Sequence, residues 1–211
     1  LQHPPTSSDL GLDGTGFCGI ATCGTSPRDF PAEWRDFNFV ANPITGEINT
    51  VSHTVDELGN HHFKREADLV TCDDPMFRPV NVCFGPDGCL YIADWYNRTI
   101  SHGTTTRNLE KHARTLGRIW RVRHKTQKPG TPPNVEKSPT SQLLAHLTSS
   151  NLWEMRAAIH QIGKRQSTEF IPRLAQLIQN PKTSDSIRIH ALWALESLDH
   201  FNPSLWKTLI K

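Results

Sequence analysis

The chain has 211 residues, a formal net charge of +2 and a pI of about 8.4. That charge is small and its Lys and Arg residues are scattered, which argues against a nucleic-acid partner. No run approaches the roughly 18 consecutive apolar residues of a membrane span, and the length suits one or two domains.

In chain order, the first candidate strand is Phe17 to Thr22, a short apolar run after the loop-like Leu1-Gln2-His3-Pro4-Pro5-Thr6-Ser7-Ser8. Asp36 to Val40 alternates polar and apolar residues, and Asn42-Pro43 closes it. Thr45-Gly46-Glu47 turns into a strand from Ile48 to His53, and after the loop from Asp56 to Asn60 a fourth strand runs from Phe63 to Val70. Period-two alternation bounded by turn residues is the pattern of half-buried strands.

The second group is stronger. Val80, Val82 and Phe84 alternate with Asn81 and Cys83, and Gly85-Pro86-Asp87-Gly88 supplies turn chemistry before Leu90, Tyr91 and Ile92. Pro presets φ, Asp can bond its own backbone, and Gly permits positive φ. Arg98 to His102 is expected as a third strand and Gly117 to Val122 as a fourth. Four consecutive short antiparallel strands make one blade of a β-propeller. Residues 16 to 123 are therefore expected to hold about two blades, whereas a closed propeller takes roughly 4–8. The expectation is a fragment of a longer protein: the chain opens without an initiator Met or a signal-peptide apolar core.

Residues 124–139, rich in Pro, Gly, Thr and Lys, read as an exposed connection. From residue 140 the period becomes helical. Helices are expected at Ser141 to Leu147, Leu152 to Arg165 with Asn151 as N-cap, Glu169 to Gln179, Ser184 to Leu198 and Pro203 to Ile210. Ala158-Ile159-His160-Gln161-Ile162 aligns with Ala191-Leu192-Trp193-Ala194-Leu195, each with an Arg (Arg156, Arg188) shortly before it. Such paired helices point to an all-α HEAT-like repeat region over 140–211, cut short, after a propeller region over 1–123.

The five cysteines, Cys18, Cys23, Cys72, Cys83 and Cys89, leave at least one unpaired, and none has Cys-x-x-Cys spacing. Cys83 and Cys89 flank the hairpin turn, where disulfide geometry is rarely met. The 11 His residues are scattered, and His61-His62 reads as a surface pair. Asp73-Asp74 alone is a weak calcium signal, so no metal ligand set is assigned. The six Trp residues suit packing between blades, and large aromatics also line sugar sites.

A long string resembles a bacterial family best known from planctomycetes and verrucomicrobia, labelled membrane-bound dehydrogenases or haem-binding Cys-x-x-Cys-His proteins. It comprises residues 68–80, Phe84-Gly85-Pro86-Asp87-Gly88-Cys89-Leu90-Tyr91-Ile92-Ala93-Asp94-Trp95-Tyr96-Asn97, Ile100-Ser101-His102 and Gly117-Arg118-Ile119-Trp120-Arg121-Val122. Phe30-Pro31-Ala32-Glu33-Trp34 and Asn42-Pro43 also fit. Met76 and Cys89 stand where Trp and Ala are common in the family. The resemblance implies a propeller like that of quinoprotein glucose and sorbosone dehydrogenases, then HEAT-like helices, then a c-type haem domain. It implies an exported, periplasmic or cell-envelope protein that oxidises a sugar or alcohol. Pyrroloquinoline quinone, calcium and haem c would serve the full-length protein, with no cofactor in this fragment and a redox partner or haem domain outside it. The alternative is a non-catalytic propeller and HEAT module that binds a polysaccharide or a protein. Fold similarity does not fix function.

Three residues are singled out. Arg78 opens a strand that would line a propeller tunnel and could clamp a carboxylate or a quinone's acid groups; it could instead pair with Asp73, Asp74 or Asp94. Asp94 closes a strand, where it could act catalytically, cap the next turn or pair with an Arg. His102 could be a general base, or simply an exposed strand end. Arg118 and Arg121 are expected to decorate the outer strand. The fragment alone is expected to be inactive.

Overall fold

The computed structural model describes residues 10–12, 16–35, 37–98, 100, 115–200 and 203. The chain forms two compact units, Leu1–Gly130 and Thr131–Lys211.

The first unit holds two antiparallel sheets. One is four-stranded, in the order β1 (Cys18–Thr22), β2 (Phe37–Asn42), β3 (Glu47–Val55), β4 (His61–Arg65). Phe39 faces Thr50 and Ala41 faces Ile48 across β2 and β3, and all four are buried. The alternation of these strands thus faces a shared core. β4 ends earlier than its apolar pattern suggests. After Arg65 the chain leaves the ladder, and Val70 returns only as an isolated bridge to Ile48. The departure has a polar cause: Asp68 accepts from buried Asn49 Nδ2 at 2.9 Å and pairs with Arg65 at 3.0 Å. Asn49 Oδ1 in turn accepts from buried Asn42 Nδ2 at 3.1 Å. Buried amides need such partners.

The other sheet is three-stranded, β5 (Pro79–Phe84), β6 (Leu90–Asp94), β7 (Arg118–Val122), in that order. Most of the third strand expected at Arg98 to His102, namely Thr99, Ser101 and His102, lies outside the described residues. β7 pairs directly with β6, Asp94 opposite Arg118 and Leu90 opposite Val122. Arg98 and Ile100 are outside any strand, and residues 101–114 lie outside the described residues.

The two sheets meet along an aromatic core. Phe30 packs edge-on against Phe84 (5.3 Å, 85°) and Phe39 (5.8 Å, 62°), and Trp34 against Phe37 (5.6 Å, 74°). Edge-to-face pairs add about 0.5–1.5 kcal/mol each to their area burial. β1 and β5 lie side by side without a ladder. At the β1 bulge, a Cβ on Gly19 would stand 2.4 Å from Asn81 Oδ1, and its φ is +73°, so the close approach requires glycine. Residues 124–130, expected as the start of an exposed connection, are pinned to this unit. Buried Gln127 donates from Nε2 to the carbonyls of Arg28 and Gly88, both at 2.7 Å.

The second unit is helical: a 3-10 turn at Val135–Lys137, then α1 (Thr140–Leu147), α2 (Leu152–Arg165), α3 (Phe170–Gln179) and α4 (Asp185–Glu196). Asn151 caps α2, its side chain accepting from Glu154 N at 3.0 Å, and Ser184 caps α4. Leu143, Leu147, Ala158, Ile162, Phe170, Leu174, Ile178, Ala191 and Ala194 are fully enclosed in one core. Burying each large side chain contributes roughly 1.5–3 kcal/mol. The expected fifth helix lies outside the described residues except Pro203.

No disulfide joins the five cysteines, all of which are among the described residues. Cys83 faces Tyr91, while Cys89 pairs through its carbonyl with Gly85, so the hairpin does not bring the two cysteines opposite each other. Among the described residues no helix is long and apolar enough to cross a membrane.

Candidate functional site

Polar residues of the hairpin and of β7 converge at the end of β6. Asp94 Oδ1 accepts from the backbone N–H of Arg78 (2.9 Å) and of Tyr96 (2.8 Å). Its Oδ2 accepts from Trp120 Nε1 (3.0 Å), Arg118 Nε (3.0 Å) and Arg118 Nη2 (2.9 Å). The carboxylate has no solvent exposure. Burial alone would push it up; the donors from Arg78, Trp120, Tyr96 and Arg118 overcome this and hold it below the usual carboxylate range.

The Arg118 guanidinium also lies over the Tyr96 ring, 3.7 Å from its centre, and near the Trp120 ring at 4.7 Å. It reaches Asp74 at 3.5 Å. Tyr96 itself has φ +50°, a left-handed conformation that costs a bulky residue of order 1–3 kcal/mol and persists where surroundings enforce it. Here the enforcing contacts are the Asp94 bond to its N–H and the Arg118 stack on its ring. Trp95 and Trp120 keep large solvent-exposed surfaces, 40% and 43%. The Trp95 N–H is fixed by the Arg78 carbonyl at 2.9 Å.

A second carboxylate is organised in the same way. Asp87, in the hairpin turn, accepts from Cys89 N (3.1 Å), Tyr91 Oη (3.0 Å) and Arg121, through Nε at 2.8 Å and Nη2 at 2.7 Å. Burial raises its carboxyl, and the bonds from Arg121, Cys89 and Tyr91 bring it below its ordinary value. Burial and the bond to Asp87 raise the Tyr91 phenol.

Arg78 and Asp94 are brought together, but through the Arg78 backbone N–H. The Arg78 side chain donates to the carbonyls of Phe77 and Arg98, both at 3.0 Å, and its Nε is buried without a partner. Its fork is thus turned onto main-chain carbonyls, and a clamp on a quinone's acid groups does not fit this arrangement. His102 lies outside the described residues. Asp74 is committed to Arg118 and to the Met76 N–H at 2.9 Å. Among the described residues no group of three or more His, Cys, Asp or Glu is placed to hold a metal ion. Arg118 and Arg121, read as outer decoration, are instead the partners of the two buried carboxylates. Their signal was cross-strand register: once β7 lies beside β6, Arg118 falls opposite Asp94 and Arg121 opposite Tyr91.

The helical unit holds a linear chain of side chains. Ser138 Oγ lies 2.9 Å from His146 Nε2, and His146 Nδ1 lies 2.6 Å from Glu154 Oε1. Ser138 Oγ also donates to the Asn134 carbonyl at 3.1 Å. With Ser138 and Glu154 buried, the chain ties the turn before α1 to α1 and α2.

Residues 12–126 match the family described as Domain of unknown function (DUF7133). No curated protein matches the chain. Among solved structures the chain is similar to one titled glucose dehydrogenase, at 22% identity and a TM-score of 0.33, over 52% of this chain and 26% of that one. The matched region thus spans about a quarter of that structure's length.

Proposed function

The chain belongs to the family described as Domain of unknown function (DUF7133), and we propose that its sheet unit is a recognition module that binds a carbohydrate. The observation that carries this is the pairing of a saturated carboxylate with exposed aromatics. Asp94 gives both oxygens to donors at 2.8–3.0 Å. A base engaged in this way cannot take a substrate proton without breaking the clamp. What the clamp supports instead is a platform: the Trp120 indole is bonded to Asp94, the Tyr96 ring lies under Arg118, the Trp95 backbone N–H is bonded to the Arg78 carbonyl, and Trp95 and Trp120 keep exposed surface. Flat aromatic faces beside fixed charged donors suit a ring of C–H bonds fringed with hydroxyls.

Several features support a wider reading of the architecture. Neighbouring antiparallel sheets with β1 against β5 support two adjacent β-propeller blades. Ala158 and Ala191, equivalent in the sequence repeat and both fully buried, support HEAT-like helices. In this reading the whole protein is a cell-envelope dehydrogenase. Sugar or alcohol oxidation and electron transfer to a c-type haem belong to that whole protein and not to this chain.

The test is a glycan-binding screen of the 211-residue chain, followed by affinity measurements on the best hit. Binding that falls at least about tenfold in Trp95→Ala or Trp120→Ala supports the proposal. Binding that ignores both substitutions, or no glycan bound at all, sinks it. Sugar oxidation by the isolated chain with added quinone and calcium would contradict the separation of roles.

A further inference from the structure

We propose that the turn after β7 is a docking surface for an acidic glycan, one that carries carboxylate or sulfate groups. The inference rests on the carbohydrate reading and narrows it to that class. Five of the eleven residues 118–128 are Arg or Lys, and no residue of the stretch is Asp or Glu. The rest of the chain is net negative, although the whole carries +2. Two of the five cations are neutralised: Arg118 pairs with Asp94 at 2.9 Å and Arg121 with Asp87 at 2.7 Å. Arg123, Lys125 and Lys128 are exposed, and among the described residues no carboxylate forms an ion pair with any of them.

These free cations sit on a turn that is tied down. Buried Gln127 donates from Nε2 to the Arg28 and Gly88 carbonyls and accepts at Oε1 from the His124 N–H at 3.1 Å. The Gln127 N–H bonds the His124 carbonyl at 3.0 Å, and the Gly130 N–H bonds the Asp87 carbonyl at 3.3 Å. Lys125 lies inside the loop from His124 to Gln127, and Lys128 between the anchors at Gln127 and Gly130. Their backbones therefore cannot swing apart to relieve repulsion. Arg123 and Lys125 are two residues apart, at most about 7 Å of extended chain. That is inside the screening length of roughly 8 Å at physiological salt. Like charges held so close repel, and a row of anions offsets this where a neutral glycan does not. Three free cations are few for nucleic acid, where a strongly salt-dependent footprint engages on the order of 6–10 phosphates. The turn also continues the strand of the aromatic platform. β7 is the edge of its sheet among the described residues, and Lys125 is five residues beyond Trp120, within about 18 Å. A polymer with one sugar ring on the indole reaches the cations with the units that follow.

The test measures the affinity of the full chain for two matched pairs of polymers: polygalacturonate against its methyl ester, and dextran sulfate against dextran. The expected result is at least about tenfold tighter binding to the acidic member of one pair, and the pair that shows it tells carboxylate from sulfate. Combining Arg123→Gln, Lys125→Gln and Lys128→Gln should abolish that preference and leave affinity for the neutral member unchanged. Arg123→Lys, with both lysines kept, should retain most of it. Circular dichroism checks the fold of each variant. Equal affinity for acidic and neutral members, or a preference that survives the triple substitution, would overturn the inference. In either case a loss in Trp120→Ala on both members leaves the carbohydrate reading standing. Duplex DNA or phosphatidylglycerol vesicles bound as tightly as the better acidic glycan would also overturn it. So would no binding to any of the four polymers, while the glycan screen decides the wider reading.

Discussion

A carboxylate removed from water costs several kcal/mol unless donors replace the lost hydration, and around Asp94 they do. Arg118 supplies two of those donors, so Arg118→Ala leaves a buried charge short of its ion-pair partner. The expected loss is about 3–5 kcal/mol of unfolding free energy by denaturant titration. Asp94 and Asp87 both sit below their ordinary values, so the folded state binds fewer protons than the unfolded chain. Their contribution is therefore fully present above the ordinary carboxylate range, near 3.9, and is lost as pH falls below it. The thermal midpoint should drop as pH falls below about 4, and Asp94→Asn should flatten that drop; a profile identical to wild type would contradict the assignment. Gly88 is a second decisive residue. At φ +80° a Cβ would lie 1.9 Å from the Arg28 carbonyl, so Gly88→Ala must displace backbone. Its cost should exceed the roughly 0.4–1 kcal/mol by which such a change can stabilise at compatible sites, with opposite sign. Turn chemistry made Asp87 and Gly88 legible in the sequence. Arg78 and Asp94 were legible as important positions, yet their division of labour was not, because a backbone N–H and not the Arg78 guanidinium meets the carboxylate.

At the scale of elements, alternation located six of the seven described strands of the first unit to within a few residues, and helical periodicity located the four described helices. The failures share one cause. Periodicity reports which face of a segment is apolar and does not report its neighbour. Arg98 to His102 had enough alternation to read as a strand, yet the described neighbour of β6 on that side is β7, which comes later in the chain. The β4 overrun to Val70 ignored the buried amides that draw Asp68 inward. Gln127 hid in a Pro- and Lys-rich stretch because its anchors, Arg28 and Gly88, are distant in sequence. In the helices, the chain from Ser138 through His146 to Glu154 couples elements that no local pattern links. His146→Ala removes a donor from buried Glu154 and should cost about 1–3 kcal/mol. A helical unfolding transition, followed by circular dichroism, that stays at its wild-type midpoint would show that this chain carries no structural weight.

The whole molecule consists of two units with separate cores, one of edge-packed and tilted aromatics between sheets and one of mostly aliphatic side chains between helices. The sequence pattern placed a connection at 124–139, whereas the units divide after Gly130; the exposed platform of Trp95 and Trp120 was not separable from six tryptophans that mostly read as packing. The central claim is that the Asp94 clamp holds a platform for recognition and performs no proton transfer. It is tested most directly by the affinity of the intact chain for its best glycan, compared between wild type, Trp120→Phe and Trp120→Ala. The account predicts that Phe, which keeps an aromatic face but loses the indole bond to Asp94, binds with intermediate affinity, and that Ala loses at least about tenfold. Equal affinity in all three proteins would contradict it.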